Sequence, residues 1–365
     1  MKDPELSVDP DIRKASTLPG RFYGDEAYFR RCLEEVFARS WQVVADRTEV
    51  RIPGQVYPFT FLEGTIGEPL LLSRDEGDRL RCLSNVCTHR GNLLVENPGV
   101  VKGLRCRYHG RRFGLDGRFH SMPECEEAEG FPSEADHLPE VALRSWGPLH
   151  LVSLDPLFPF DELLEGVEAR LGWLPLDRFV FDPGRSRDYL VRASWALYCD
   201  NYLEGFHIPF VHSALAETLD YGSYETEVYR YSNLQLGVAA DGEEAFDLPP
   251  SSPDFGRRIA AYYFWLFPNT MLNFYPWGLS VNVVKPLAVG RTRVSFRSFV
   301  WDGSRMESGA GSILDRVERE DEAIVESVQR GVAARLYHRG RFSPSREQGV
   351  HHFHRLLSDF LQRSP

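Results

Sequence analysis

Residues 87–94, CTHRGNLL, and residues 106–117, CRYHGRRFGLDG, decide how this chain is read. They set Cys87, His89, Cys106 and His109 in the order Cys-x-His, sixteen residues, Cys-x-x-His. Two Cys and two His could hold zinc, but zinc fingers usually group Cys with Cys and His with His. Here each half supplies one Cys and one His. That order suits two non-equivalent irons, one taking both thiolates and the other both imidazoles. The small Gly91 and Gly110 stand beside the ligands. The competing readings are a zinc knuckle or four ordinary residues.

Around these loops the sequence has a strand period. WQVVADRTEV (41–50), GQVYPFTFL (54–62), EPLLLSR (68–74), RLRCLSNV (79–86) and FGLDGRF (113–119) are short and rich in β-branched or aromatic residues. Gly, Pro and Asp turns separate them, and the ligand loops fall at strand tips. A small all-β domain over residues 41–155 is expected. Before it, residues 1–20 are polar and proline-containing and read as an extended arm. Asp25 can cap a helix to about Arg39, with Phe29, Cys32, Leu33, Val36 and Phe37 as its apolar stripe. DPLFPFDELL (155–164) marks the boundary to a second domain, residues 156–365. There RDYLVRAS reads as a strand and SWALYCDNYLEGFH as a helix. Long antiparallel strands are expected at 224–238 and 260–301, and a helix from Ile313 to Tyr337.

A second donor set lies in CDNYLEGFHIPFVH, residues 199–212. Pro209 sits between His207 and His212, so the helix should end near His207 and His212 should come from the following turn. Two imidazoles so placed can meet at one metal. In the late helix, Ile313, Leu314, Val317, Ile324, Val325 and Val328 form an apolar face, and Asp321 lies on it. A bare carboxylate there needs a cation, or an arginine partner. Glu320 and Glu322 fall off that face and read as solvated. Two His and one carboxylate make the facial triad of non-haem Fe(II) sites.

In these motifs and their order the sequence resembles the catalytic alpha subunits of the Rieske non-haem iron oxygenases. The resemblance runs from about Trp41 to the C-terminus. It implies an α+β chain, a Rieske β domain followed by a helix-grip (START-like) domain whose curved antiparallel sheet surrounds a substrate pocket. It makes Cys87, His89, Cys106 and His109 the ligands of a [2Fe–2S] cluster. His207, His212 and Asp321 become the ligands of a mononuclear Fe(II). O₂ is then the co-substrate. Electrons come from NAD(P)H through a flavin or ferredoxin-type reductase, and homotrimers are common. Glu204 stands where many ring-hydroxylating members have Asp, three residues before the first iron-ligating His. It is expected to bridge His207 to His109 of a neighbouring subunit. DNYLEGFH, EDEAIVESVQRG and FPNTMLNFYPWG look like the choline, carnitine and glycine-betaine monooxygenase branch. Arg111 departs from the Trp that many members carry after the His-Gly pair.

The expected activity is hydroxylation or demethylation of a small N-methylated or quaternary amine, with aromatic ring dioxygenation as the alternative and a zinc module fused to a binding domain as the non-catalytic one. Leu203, Phe206, Phe210, Val211 and Leu215 are expected in the pocket, with Phe264, Phe267, Leu272, Asn273, Tyr275 and Trp277 from strands. Aromatic faces there could hold a methylated ammonium by cation–π attraction. His351, His352 and His354 belong to no recognised motif.

Composition narrows the rest. An apolar fraction of 42% with 13% aromatics is that of a globular protein. A net charge of −11 argues against nucleic acid. No apolar run approaches a membrane span, and the polar MKDPELSVDP is not a signal peptide. Six scattered cysteines fit a reduced, cytoplasmic setting.

Overall fold

Asp25 opens the first helix as its sequence position suggests: its carboxylate accepts from the Ala27 N–H at 2.7 Å. Helix α1 (Glu26–Arg31) runs on through a π-helical turn, Cys32–Phe37. The computed structural model describes residues 3–363 except 307, 308, 310, 312 and 313. Trp41–Pro156 forms one compact unit; the described residues before Trp41 and after Pro156 form the other.

The first forty residues therefore belong to the larger unit rather than standing off as an extended arm. Leu6, Ala15 and Leu18 are fully buried. The Leu18 N–H donates to His354 Nδ1 at 3.1 Å, and Tyr23 Oη donates to Asp200 at 2.7 Å. Three apolar anchors and two buried hydrogen bonds outweigh the polarity of the intervening residues. The late histidines serve this docking: His351 Nε2 lies 2.7 Å from the Asp9 carbonyl, and His354 Nε2 lies 2.9 Å from Asp200.

In the smaller unit the strands are β1 (Gln42–Asp46), β2 (Gln55–Phe61), β3 (Glu68–Arg74), β4 (Leu80–Ser84), β5 (Gly99–Val100), β6 (Leu104–Arg105), β7 (Arg112–Phe113), β8 (Phe119–Ser121), β9 (Glu140–Trp146) and β10 (Leu149–Ser153). Seven of them form an antiparallel sheet in the order β1-β10-β9-β4-β3-β2-β5, and β6-β7-β8 form a small second sheet. Leu71, Leu83, Leu104 and Phe113 pack into one core beside Cys87 and Cys106. The core thus fixes the ligand loops from below.

The larger unit continues with α2 (Phe160–Leu171), β11 (Val180–Val191), α3 (Trp195–Tyr202), α4 (Ile208–Val211), α5 (Ser213–Thr218), β12 (Glu225–Val228), β13 (Ser232–Val238), β14 (Ile259–Leu266), β15 (Thr270–Tyr275), β16 (Gly278–Ala288), β17 (Arg291–Val300), α6 (Leu314–Val332) and α7 (Gln348–Gln362). Its sheet is wholly antiparallel, ordered β11-β17-β16-β15-β14-β13-β12. Register places Gln235 opposite Tyr263, Tyr263 opposite Asn273 and Asn273 opposite Ser280. Because side chains alternate along a strand, these residues share one face with Tyr275 and Asn282. Phe264, Leu272 and Phe274 point the other way, into the core. Helix α6 ends at Val332, before the expected Tyr337.

Candidate metal centres and the cavity beside one of them

The two cysteine loops of the smaller unit are built alike. In the first, the Cys87 N–H donates to the Asn92 carbonyl at 2.9 Å and the Gly91 N–H to the Cys87 carbonyl at 3.0 Å. In the second, the Cys106 N–H donates to the Arg111 carbonyl at 2.8 Å and the Gly110 N–H to the Cys106 carbonyl at 3.1 Å. Gly91 and Gly110 hold φ of 70° and 76°, a conformation that a Cβ would strain. The same turn, used twice, brings the four side chains together. Cys87 and Cys106 are buried and in contact, while the His89 and His109 rings lie nearer the surface with centroids 4.7 Å apart. Burial works against a thiolate at Cys106, yet the backbone N–H groups of Tyr108 and His109 hold it below the ordinary cysteine value. An inner thiolate pair and an outer imidazole pair fit two non-equivalent irons.

Arg111 takes over the space behind the second loop. Its guanidinium is buried, pairs with Asp136 at 2.7 Å, and lies over Phe119, Phe131 and Phe113 at 4.8, 5.4 and 5.6 Å. The aromatic box around it supplies the packing, and Asp136 the counter-charge.

In the larger unit, helix α3 ends at Tyr202, five residues before the expected stop at His207. Gly205 follows in the break, and Pro209 sits in the first turn of α4, where its missing N–H costs nothing. The proline therefore opens a helix rather than closing one. Glu204 lies in the break, not on a helical face with His207. Its Oε2 accepts the His207 backbone N–H at 3.0 Å and its Oε1 accepts from His207 Nδ1 at 2.7 Å. One carboxylate thus closes the turn and sets the ring.

His207, His212 and Asp321 offer donor atoms that all lie within 4.8 Å of one another. The Nε2 atoms of His207 and His212 face each other at 3.1 Å. Asp321 Oδ1 stands 3.0 Å from His212 Nε2 and 3.5 Å from His207 Nε2. Both Nδ1 atoms are engaged by carboxylates, His207 by Glu204 and His212 by Glu320 at 2.8 Å. A carboxylate only accepts, so each Nδ1 donates to its carboxylate, and it is Nε2 of each ring that would turn its lone pair to a bound metal. Three lone pairs then converge on one point, an arrangement that fits a cation. Without one, burial opposes a charged His212, but Asp321 and Glu320 raise it above the ordinary histidine value.

Helix α6 presents a different face from the one its apolar residues suggest. Ile324 and Val328 are exposed, at 39% and 42%, and Glu318 and Val325 are buried. Ile313 lies outside the described residues. The inward face is mixed: Val317, Glu318 and Asp321 line the cavity and Val325 is buried, while Ile324 and Val328 turn outward. Asn201 Nδ2 donates to Asp321 Oδ1 at 2.7 Å and positions that carboxylate. Glu320 is not simply solvated: it orients His212 and is itself held by Arg316 at 3.0 Å. Burial pushes Glu318 up to about 8, against the hydrogen bond it accepts from Tyr198 Oη at 2.6 Å.

The cavity beside this centre encloses about 750 Å³, its open mouth included. Tyr202, Tyr224, Tyr263 and Tyr275 line it, with Gln235, Asn273, Asn282, Phe296 and Glu318. Of the residues expected there, Leu215, Asn273 and Tyr275 take part. Phe264, Phe267, Leu272 and Leu203 lie in the core instead, Trp277 stacks behind Tyr275 at 5.5 Å, and Phe206 and Phe210 are exposed. Val211 is not among the lining residues. The strand alternation that includes Asn273 and Tyr275 could have found Tyr263; nothing local marks Tyr224 or Glu318.

The profile of the ring-hydroxylating alpha subunit catalytic domain matches residues 176–363, and that of the Rieske [2Fe–2S] domain matches residues 40–137. This chain belongs to the Rieske ring-hydroxylating oxygenases. The carnitine monooxygenase oxygenase subunit of Escherichia coli (strain K12) is 30% identical to it over 96% of this chain and 95% of the relative. The chloroplastic choline monooxygenase of Beta vulgaris is 28% identical over 97% of this chain and 79% of the relative. A crystal structure of a quaternary ammonium Rieske monooxygenase in complex with an inhibitor superimposes with a TM-score of 0.79 at 25% identity, covering 99% of both chains. A Rieske oxygenase of this family carries a [2Fe–2S] cluster and a mononuclear iron, and uses O₂ with reductase-supplied electrons. When bound, the two groups supply electron storage and O₂ activation; the protein supplies orientation and exclusion of side reactions.

Proposed function

We propose that this oxygenase hydroxylates or demethylates a small N-methylated or quaternary amine. Cys87, His89, Cys106 and His109 hold the cluster. His207, His212 and Asp321 hold the mononuclear iron. Glu204 orients His207 and carries the electron path toward His109 of a neighbouring subunit in a homotrimer. The observation that carries the substrate reading is the cavity wall next to the three donors, where five tyrosines, Tyr198 among them, stand together with a buried carboxylate. Electron-rich ring faces attract a cation but would also pack on a neutral arene; it is the carboxylate beside them that favours the cation. The relatives that act on choline and carnitine support the same class. Six free cysteines support a reducing, cytoplasmic location.

The test is oxygen uptake by purified protein with a flavin or ferredoxin-type reductase. Choline-, carnitine- and betaine-like compounds should stimulate it and release aldehyde or formaldehyde. Turnover confined to neutral aromatics would refute the amine reading. Acid-labile sulfide with about three irons per chain is expected; stoichiometric zinc without sulfide would remove the whole scheme.

A further inference from the structure

The cavity is unbalanced in charge. Among its described lining residues are three acids, Glu204, Glu318 and Asp321, and no Lys or Arg. Two of the acids are committed: Glu204 to His207, and Asp321 to Asn201 and the histidines. Glu318 is not. It is 4% exposed, one oxygen accepts from Tyr198, and the other, Oε1, is buried with no partner. A buried carboxyl oxygen without a partner is costly unless a ligand completes it. A substrate carboxylate placed here would meet three acids and no Lys or Arg; the phenols and amides of the wall could donate to it but not neutralise it.

We propose that Glu318 is the counter-charge for substrate, and that it makes this cavity selective for singly charged cationic amines over zwitterions that carry a carboxylate. The inference rests on the amine reading above and sharpens it. An ammonium seated among the tyrosine rings draws Glu318, which burial otherwise pushes up to about 8, into its ionised form. A neutral tail, such as a hydroxyl, can be served by the Asn and Gln amides of the wall. An anionic tail would find neutral donors but no cation among the lining residues.

Equilibrium binding to the oxidised holoenzyme, by calorimetry, tests this without turnover. Three near-isosteric probes suffice: choline, a cation; glycine betaine, a zwitterion; and 3,3-dimethylbutan-1-ol, a neutral alcohol. Choline should bind about tenfold or more tighter than either. Glu318→Gln keeps the shape and the Tyr198 hydrogen bond. It should weaken choline roughly tenfold and leave the neutral alcohol within about threefold. Glycine betaine binding as tightly as choline, or an unchanged choline-to-alcohol ratio in Glu318→Gln, would overturn the assignment while leaving the amine reading intact. The wild-type comparison alone decides it should the variant fail to fold. A protein that binds none of the amines but consumes O₂ with neutral arenes would remove both.

Discussion

Replacing Glu320 by alanine separates a carboxylate that orients a metal ligand from one that is a ligand. Glu320 Oε2 lies 2.8 Å from His212 Nδ1, on the far side of the ring from the convergence point. Asp321 Oδ1 lies on the near side, 3.0 Å from His212 Nε2. Loss of a partner that orients a ligating histidine weakens metal binding by roughly 10–100-fold. The Glu320 side chain is 27% exposed, so water can replace it in part. The expected loss is therefore at the lower end, about tenfold or about 1.4 kcal/mol. Asp321→Ala removes one of three donors and also strands Asn201 Nδ2, so it should empty the mononuclear site. Glu320→Gln should recover most of the affinity, because the amide oxygen still accepts from Nδ1. The assay is dialysis against graded ferrous-chelator buffers with iron counted by mass spectrometry. Cluster sulfide and visible absorption serve as the internal count of intact protein. Glu320→Ala losing its iron as completely as Asp321→Ala would make Glu320 the ligand. Wild-type iron affinity in Glu320→Ala would show that His212 needs no such partner.

Glu204→Gln should keep both metal centres and a reducible cluster, yet slow oxidation of that cluster by substrate and O₂ by orders of magnitude; single-turnover stopped-flow at near-normal rate would refute the relay. Arg111→Met should destabilise the smaller unit by about 3 kcal/mol, because it strands Asp136 in a site built for an ion pair. Asp136→Asn on that background should cost less than the two single losses together, read from denaturant melts followed by the cluster's visible signal. His150 is buried, and burial, with Arg74 and Arg47 nearby, lowers it to about 4. The unfolded chain therefore takes up this proton first as pH falls below about 6.5. Its contribution to stability is full above that pH and is lost toward pH 4, by up to about 3 kcal/mol. His150→Asn should flatten the acid limb of the melting profile between these values; an unchanged limb would place the pH sensitivity elsewhere.

The candidate donor sets were legible in the sequence because the two cysteine loops and the histidine pair are each local, and the structure brings His207, His212 and Asp321 together. Cys87 with His89, and Cys106 with His109, sit in single turns whose glycines must take positive φ, so spacing alone constrains their geometry. His207 and His212 flank one short helix. Helical phase brings Asp321 to the two histidines, with Val317 and Val325 on the same inward face, while Ile324 and Val328 of the expected stripe turn outward. What surrounds the ligands was decided only by the tertiary structure. Glu318 and Glu320 look alike in DRVEREDE, yet one is buried against Tyr198 and the other holds His212. Periodicity says which side chains share a face but not what lies opposite, and it is the opposing surface that sets desolvation and hydrogen-bond partners. The cavity has the same origin. Gln235, Tyr263, Asn273 and Asn282 meet through the antiparallel register of four consecutive strands, with Tyr224 reaching the cavity from the turn before β12, and register is a property of the assembled sheet. Residues 1–20 read as an extended arm because the anchor of Leu18, His354, lies more than three hundred residues away in the sequence.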